Sequence, residues 1–457
     1  MNLGKMTIAA LAATTTATLT AAVPEVTGST MTQDASRLVT ITYTLSAAPA
    51  VVTLDVQTNA NTSAAADDPG WTSIGGAAVS NAKGDVWKRV ETGSHTITWR
   101  PDLSWPDHKI ADGGARAVVT AWALDNTPDY MVVDISESAT SATPRKYYPT
   151  ADSLPGGILG NPDYRTTSIV MRKIMAKDIE WTMGSTSAEE QRTAAREATH
   201  KVMLTNNYYI GVFELTQTQW SLIQTSRKFP SSFTNAADRA MRPVETVCYN
   251  EIRNNGGTSK TENPAYNWPA DPNPNSFLGK LRTKTGLDFD LPSEAQWEFA
   301  ARAGNGDTKW GDGSGIWNVD HDENLDLLGR YLYSGGKLWD GSSYVATSTS
   351  VGATNGTAIV GSYVPNAWGL YDTAGNVYEW CLDWRDNNIN EFGGKVNIDP
   401  EDPAKSLSGA TGNYRIVRGG AYSEASSLCR PAYRHFDVPD GQYNSFGFRL
   451  VCTAGLQ

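Results

Sequence analysis

The chain has 457 residues, of which 40% are hydrophobic and 19% are charged, and its formal net charge is −11. This length and composition predict a globular protein of two to three domains rather than a disordered chain. The acidic balance argues against nucleic acid as a partner, because phosphate binding needs a basic face. The 41 Gly, 15 Trp and 19 Tyr residues favour a loop-rich fold held by aromatic packing.

Residues 1–22 are predicted to be a signal peptide. Lys5 supplies the positive charge, residues 6–19 are rich in Ala, Thr and Leu, and small residues close the segment. No other run of about 18 apolar residues follows, which argues against a transmembrane segment. We therefore expect a secreted protein that is extracellular or lies at the cell surface.

Residues 30–140 are predicted to form an all-β sandwich domain of immunoglobulin or fibronectin type. Residues that are β-branched or aromatic alternate with polar ones, as in half-buried strands, in four segments: Leu38–Leu45, Ala50–Val56, His95–Trp99 and Ala115–Trp122. Nothing here has a catalytic pattern, so this part is interpreted as a spacer or adhesive module. A free strand edge would permit self-association of the sandwich, but edges are not visible in a sequence.

The next segment, residues 141–163, is rich in Ser, Thr, Pro and Gly and is predicted to be a linker. The second domain is placed at residues 164–457. It is expected to begin with a strand at Ser168–Ile174.

Three helices are predicted in the second domain. A capping box pairs Thr216 with Gln219, and another pairs Ser293 with Gln296, so each marks the start of a helix. A weaker pattern predicts a helix at Ser276–Arg282. The rest of the domain has almost no helical periodicity, so long ordered loops and short strands are expected.

Two segments near the C-terminus carry the most distinctive motifs. Asn366–Trp380 alternates glycines with oxygen-bearing side chains and large rings, which suits a loop that wraps a hard cation. Arg415–Tyr422 places Gly419 and Gly420 after a β-like run, where a backbone must bend or approach another group closely. A last motif, Gly447–Cys452, follows them.

These segments resemble the sulfatase-modifying-factor family, whose founding members are the formylglycine-generating enzymes. Four upstream motifs share the resemblance: Trp181–Ser185, Tyr209–Trp220, Arg242–Val247 and Leu291–Phe299. The resemblance implies an α+β, C-type-lectin-like formylglycine-generating-enzyme fold with long ordered loops. It does not by itself imply activity, because many relatives keep a scaffold without its chemistry.

The resemblance also implies a copper site, which this chain keeps only in part. The family's oxidase holds Cu(I) between two cysteine thiolates after the Gly-Gly turn, and those positions fall on Glu424 and Cys429. A carboxylate is a hard ligand, and a lone thiolate cannot form a bis-thiolate site. We therefore expect little or no formylglycine synthesis and do not expect copper as a cofactor; Cys429 is catalytic only if the chain is an active enzyme.

The cysteines leave further alternatives open. In an exported chain, an even count permits two disulfides among Cys248, Cys381, Cys429 and Cys452, and Cys248 with Cys452 is one candidate pair. Their spacing does not match a zinc site. The iron-dependent relatives of ergothioneine type use a three-histidine site with a helical domain, and the five scattered histidines here do not fit that arrangement.

A calcium site is implied by the resemblance as well. Carried over to this chain, its ligands are Asp372, Gly375, Val377 and Glu379, with Asp372 standing where the family usually has Asn. The alternative is that hydrogen bonds and ring packing alone hold this loop. The family's other calcium site has no recognisable counterpart, because Arg330–Ser334 departs from the pattern.

A candidate binding surface follows the Gly-Gly turn. Its residues are of types that make adaptable contacts at binding hot spots: Tyr422, Glu424, Arg430, Tyr433, Arg434, Tyr443 and Asn444. The expected ligand is a protein, a peptide or a glycan. The alternative is that these side chains only cover the core.

Two functions from different classes follow from these observations. The leading one is an exported, calcium-stabilised binding or surface-structural protein built on a catalytically degenerate sulfatase-modifying-factor domain. The alternative is a formylglycine-generating-type oxidoreductase that acts on a protein cysteine. The choice between them rests on Glu424.

Overall fold

The structure is a computed structural model that describes residues 22–143, 145–254, 263–318, 320–339, 344–346, 356–386, 397–399 and 410–453. The predicted signal peptide, apart from its last residue, lies outside the described residues. In the described part of the chain, no helix is long and apolar enough to cross a membrane.

The N-terminal part forms two antiparallel sheets around one core. Its strands are β1 (Glu25–Gln33), β2 (Val39–Ser46), β3 (Ala50–Thr58), β4 (Thr72–Ser73), β5 (Lys83–Gly84), β6 (Arg89–Val90), β7 (Gly93–Trp99) and β8 (Ala115–Trp122). One sheet has the order β1-β2-β7-β5, and in the other β3 is paired with β4, β6 and β8. The predicted all-β sandwich is confirmed.

Strand β2 shows why the alternating pattern predicts this domain. Its residues Val39, Ile41, Tyr43 and Leu45 are buried, whereas the threonines between them are not. A period of two places those four side chains on one face of the sheet. The four predicted segments coincide with β2, β3, β7 and β8. Strand β1 was not predicted, because its Thr-rich sequence is mostly exposed and carries little apolar alternation.

The structure moves the predicted domain boundary. Strand β9 (Tyr130–Asp134) pairs with β11 (Ser168–Ile174) in the central sheet of the second domain, and β10 (Lys146–Tyr148) pairs with β9 at the edge of that sheet. Tyr147 and Tyr148 lie in the segment predicted as a linker, and their rings are buried. This part of the segment is therefore packed against the core and does not serve as a linker. The Ser, Thr, Pro and Gly content of residues 141–163 had instead predicted a linker.

Strands β14 (Tyr208–Gly211) and β22 (Val451–Thr453) complete the central sheet, whose order is β10-β9-β11-β14-β22. The remaining strands of the second domain are β12 (Glu180–Met183), β13 (His200–Met203), β15 (Lys337–Trp339), β16 (Tyr344–Ala346), β17 (Tyr378–Asp386), β18 (Asn397–Ile398), β19 (Ala410–Arg418), β20 (His435–Asp437) and β21 (Phe446–Gly447). These remaining strands form the sheets β12-β13-β18, β15-β16 and β20-β19-β17-β21.

The helices are short: α1 (Pro101–Ser104), α2 (Gln217–Ile223), α3 (Phe277–Thr285), α4 (Glu294–Arg302) and α5 (Leu325–Leu328). Both predicted capping boxes are present, at the starts of α2 and α4. Helix α3 runs slightly past its predicted end to Gly286, whose left-handed conformation terminates it. Few helices on small sheets, joined by long loops, give the predicted α+β fold.

Strand pairing brings the C-terminal motifs together. Strand β17, which begins inside the Asn366–Trp380 motif, pairs antiparallel with β19 and parallel with β21. Glu379 on β17 consequently lies opposite Arg418 on one side and Gly447 on the other. The loop, the Gly-Gly turn and the Gly-Phe-Arg motif therefore meet at one end of this sheet.

Candidate functional site

Backbone hydrogen bonds join the loop before β17 to the Gly-Gly turn. The Gly375 N–H donates to the Gly419 carbonyl at 2.7 Å, and the Tyr422 N–H donates to the Asn376 carbonyl at 2.8 Å. Gly375 has φ 90°, and a Cβ there would lie 2.3 Å from the Arg330 carbonyl oxygen. Only glycine fits this close approach.

A buried ion pair lies directly beneath this junction. Arg449 donates from Nε to Glu379 Oε2 at 2.5 Å and from Nη2 to Oε1 at 2.6 Å. The indole of Trp297, on α4, donates to the same Oε2 at 2.7 Å. Arg449 and Glu379 are fully buried. The bidentate pair ties the last motif of the chain to β17 and α4.

Two more buried carboxylates adjoin this pair. Glu214 accepts from Asn376 Nδ2 at 2.6 Å, and its pKa is raised well above its usual value by burial and by the charges of Asp372 and Glu379. Burial also raises the pKa of Asp372 to about 6. Asp372 Oδ2 accepts from the Gly361 N–H at 2.7 Å, whereas Oδ1 is buried without a hydrogen-bond partner in the described part of the chain.

The predicted calcium ligands fit a cation unequally. Asp372 fits, because its Oδ1 is a buried hard donor without a partner among the described residues. Glu379 fits less well, since both of its oxygens already accept from Arg449. Gly375 and Val377 lie in the turn between them, where the Val377 N–H donates to Glu214. The described residues contain no cluster of three or more His, Cys, Asp or Glu side chains arranged to hold a metal.

Cys429 is a core residue in this structure. Its side chain is fully buried and packs in a cluster with Trp310, Leu325 and Tyr331. Gly420 must lack a side chain there, because a Cβ would lie 2.5 Å from the Cys429 sulfur. Burial, and secondarily the charge of Glu424, raises the pKa of the Cys429 thiol, so the thiol stays protonated at neutral pH.

The donor set after the Gly-Gly turn does not fit the family's copper ion. Glu424 is half-buried beside Cys429, and all four cysteines are buried free thiols. The option of two disulfides, including a pair of Cys248 with Cys452, is therefore wrong for this structure. One protonated thiol beside a carboxylate lacks the second soft ligand that Cu(I) would need.

Three of the seven predicted ligand-binding residues are packed inside the domain. Arg434 pairs with Glu294 through two hydrogen bonds of 2.6 and 2.7 Å. Arg430 is buried in an ion-pair cluster, and the Tyr422 ring packs edge-on against Phe233 at 5.1 Å. These side chains hold the fold and are not available to a ligand, which corrects the expectation for them.

The other four are partly or well exposed. Tyr443 is 48% exposed and rests on Phe446, with ring centroids 5.0 Å apart. Glu424, Tyr433 and Asn444 are half-buried. We call these four residues the tyrosine surface: Glu424, Tyr433, Tyr443 and Asn444.

Sequence reasoning missed Arg449 and Glu214, which complete the buried cluster. Arg449 belongs to the Gly447–Cys452 motif, but no role was predicted for it. The signal was present, since a glutamate predicted to lie inside an aromatic loop needs a cation or hydrogen-bond donors to be buried. Glu214 gave no local signal, because it lies 163 residues before the Val377 backbone that it holds.

We predict that Arg449→Met destabilises the domain by about 3–5 kcal/mol, because it leaves the Glu379 carboxylate buried without its cation. Urea unfolding followed by tryptophan fluorescence measures the change. The control is Lys201→Met, which breaks an exposed ion pair with Glu180 and should cost less than about 1 kcal/mol. Equal effects of the two substitutions would contradict the role given to Arg449.

A pH prediction follows from the Arg430 cluster, where Glu189 and Glu197 share one guanidinium. Burial and a hydrogen bond with Asp307 raise the pKa of Glu189 from 4.5 to about 7, so the folded protein retains a proton that the unfolded chain releases. The free energy of unfolding should therefore fall, by roughly 3 kcal/mol, as the pH rises from 4.5 to 7.

Glu189→Gln should remove that pH dependence, whereas Glu180→Gln, at an exposed position, should leave it intact. Urea unfolding at half-unit pH steps measures it. An unchanged slope in Glu189→Gln would show that another group titrates.

Comparison of the chain with known proteins identifies a family that it matches. A profile of the Sulfatase-modifying factor enzyme 1-like domain matches residues 171–454. The formylglycine-generating enzyme of Streptomyces coelicolor is 35% identical over 171 residues, which are 36% of this chain and 47% of that protein. That of Thermomonospora curvata is 35% identical over 168 residues, 35% of this chain and 48% of that protein. The chain spans about half the length of these curated relatives.

A third relative matches over a longer stretch. Chaperone protein LppX of Paenibacillus barcinonensis is 26% identical over 273 residues, which are 57% of this chain and 85% of that protein. Among solved structures, Treponema denticola variable protein 1 covers 63% of this chain and 96% of its own, with 24% identity and a TM-score of 0.43. Because the family profile matches more than half of its residues, the chain belongs to the family of the sulfatase-modifying factor enzyme 1-like domain.

Proposed function

We propose that this chain is an exported binding protein whose second domain holds a polypeptide ligand and does not synthesise formylglycine. The observation that carries the proposal is the pair of Glu424 and Cys429. A carboxylate occupies the position of one copper-binding cysteine, and the remaining thiol is buried and protonated.

The choice of a polypeptide ligand is supported by a relative that the chain matches over most of its length. That relative is named a chaperone, and the chain covers 85% of it, compared with about half of the formylglycine-generating enzymes. Export is supported by the signal-like composition of residues 1–22.

The tyrosine surface is the proposed contact area. Tyr443 offers an exposed ring on a buried aromatic base, an arrangement that gives large contact area at low entropy cost. Asn444 adds an adaptable hydrogen-bonding group beside it. Glu424 adds an acidic group, which favours a polypeptide with basic residues nearby.

The alternative is a formylglycine-generating-type oxidoreductase acting on a protein cysteine. Family membership and the names of two relatives favour it. This activity would need copper ligands other than the pair of Glu424 and Cys429. A measurement of oxygen consumption distinguishes the two functions.

We predict that the reduced, copper-treated protein consumes no oxygen above background with a cysteine-containing peptide. It should bind a reduced and alkylated unfolded polypeptide, and Cys429→Ser should retain this binding. Tyr443→Ala should weaken it about thirtyfold, because an exposed tyrosine at a binding hot spot contributes on the order of 2 kcal/mol. Fluorescence anisotropy of the labelled polypeptide measures the affinity.

The control is Leu103→Ala, which truncates an exposed apolar side chain in the sandwich and should not change the affinity. Copper-dependent oxygen consumption that Cys429→Ser abolishes would contradict the proposal. So would a polypeptide affinity that Tyr443→Ala leaves unchanged.

We also propose that Ca²⁺ stabilises the domain at the loop before β17. The support is the excess of carboxylates there, with Glu214, Asp372 and Glu379 buried around Arg449, together with the unpartnered Asp372 Oδ1. Asp372 would hold the ion with backbone carbonyls of Gly375 and Val377, and Glu379 would contribute through the remaining lone pair of Oε1.

Calcium is therefore predicted to raise the melting temperature, and Asp372→Ala should remove this increase. The control Asp125→Ala alters an exposed carboxylate of the chain and should preserve it. Differential scanning calorimetry with calcium and with a chelator measures both. A calcium-induced increase that persists in Asp372→Ala would place the ion elsewhere.

A further inference from the structure

A cavity of about 610 Å³ lies between the sandwich and the second domain. One wall comes from residues 80–88 of the sandwich, and the other from β9, β10 and residues 163–168. All of its lining residues precede residue 171, so the cavity lies outside the part of the chain that matches the family. Its volume falls in the range of small-molecule sites, roughly 300–1,000 Å³, and domain interfaces are a common place for them.

The floor of this interdomain cleft is rigid. The Trp87 N–H donates to the Val52 carbonyl at 2.7 Å, and the Trp87 carbonyl accepts from the Tyr147 N–H at 2.7 Å, so the backbone of Trp87 is fixed from both domains. Its φ is 63°, a conformation that a bulky residue adopts only when its surroundings impose it. The Trp87 ring stacks on Tyr148 with centroids 5.2 Å apart.

Three lysines and two aspartates line the cleft, so the formal charge of its lining is positive although the protein as a whole is acidic. Lys83 from the sandwich and Lys146 from β10 are both exposed, and neither has an ion-pair partner among the described residues. A third ammonium, that of Lys88, pairs with Asp85 at 3.2 Å. Two lysines from different domains at the mouth of one cavity favour an anionic ligand.

The rest of the lining consists largely of hydroxyl and carboxyl groups. Ser136 and Ser168 offer hydroxyls, and Asp134 and Asp163 offer carboxylate oxygens that accept from ligand hydroxyls. A ligand with both an acid group and several hydroxyls matches this set. The apolar part of the lining comes from Ala82, Val86, Trp87 and Val132.

We propose that the interdomain cleft binds an acidic sugar, with Lys83 and Lys146 pairing with its carboxylate or sulfate group. The lysines supply the charge-assisted contacts, and the hydroxyl and carboxyl groups of the wall orient the ring. Because the ligand touches both domains, binding also stabilises their contact. The proposal is independent of the polypeptide site.

Titration calorimetry of the full chain with sodium glucuronate and with glucose tests the proposal. Glucuronate should bind in the millimolar range or better, with an affinity that falls with added salt, and glucose should bind at least tenfold more weakly. The double variant Lys83→Gln, Lys146→Gln should weaken glucuronate binding at least tenfold. The matched control Lys109→Gln, Lys177→Gln changes one exposed lysine in each domain and should not alter it.

A second measurement holds even if the double variant folds poorly. In the unmodified protein, glucuronate should protect Lys83 and Lys146, but not Lys109 or Lys177, from an amine-acetylating reagent read by mass spectrometry. Absence of binding, equal protection of all four lysines, or binding of an acidic peptide but not of the sugar would overturn the proposal.

Discussion

The second domain depends on how one buried guanidinium is held among three buried carboxyl groups. Arg449 holds both oxygens of Glu379, and the charges of Asp372 and Glu379 add to burial in raising the pKa of Glu214. Removing water from charges is costly, so such a pair persists only with near-complete hydrogen bonding. Here the indole of Trp297 completes it. The pair therefore fixes the loop before β17, helix α4 and the last strand motif against one another.

This arrangement supports the proposal that the scaffold persists without the family's chemistry. The groups that hold the fold are Arg449, Glu379 and the glycines of the turn, whereas the copper-binding positions lie outside that set. Cys429 has become part of the packing, since its sulfur fills the space that Gly420 leaves open. Glu424 is half-buried near Cys429. The proposed loss of the copper site therefore leaves the groups that hold the fold in place.

The sequence predicted features that depend on neighbouring residues. The capping boxes at Thr216 and Ser293 are local, and so is the alternation in β2. The β10 segment was mistaken for a linker, since only the distant β9 and core show that Tyr147 and Tyr148 are buried.

Long-range pairing also explains the errors at the candidate site. Arg430 looked like a surface residue, but its partner Glu189 is 241 residues away in the sequence. Arg434 pairs with Glu294, which lies 140 residues earlier in the sequence, and no local sequence pattern predicts such a contact. The Asn366–Trp380 motif and Glu424 at the copper position could be identified from the sequence, because each lies within a short segment. The calcium ligands remain a prediction, with Asp372 the best supported of them.

The most direct test of the account is a Cu(I) titration of the reduced native protein against a competing chelator. The chain as it stands should take no Cu(I) from the chelator, because Cys429 is protonated and Glu424 is a hard ligand. Glu424→Cys restores the missing thiol, and its copper uptake shows whether the scaffold still positions both groups. Tight binding of one equivalent by the unmodified chain, lost in Cys429→Ser, would contradict the conclusion that the site is degenerate.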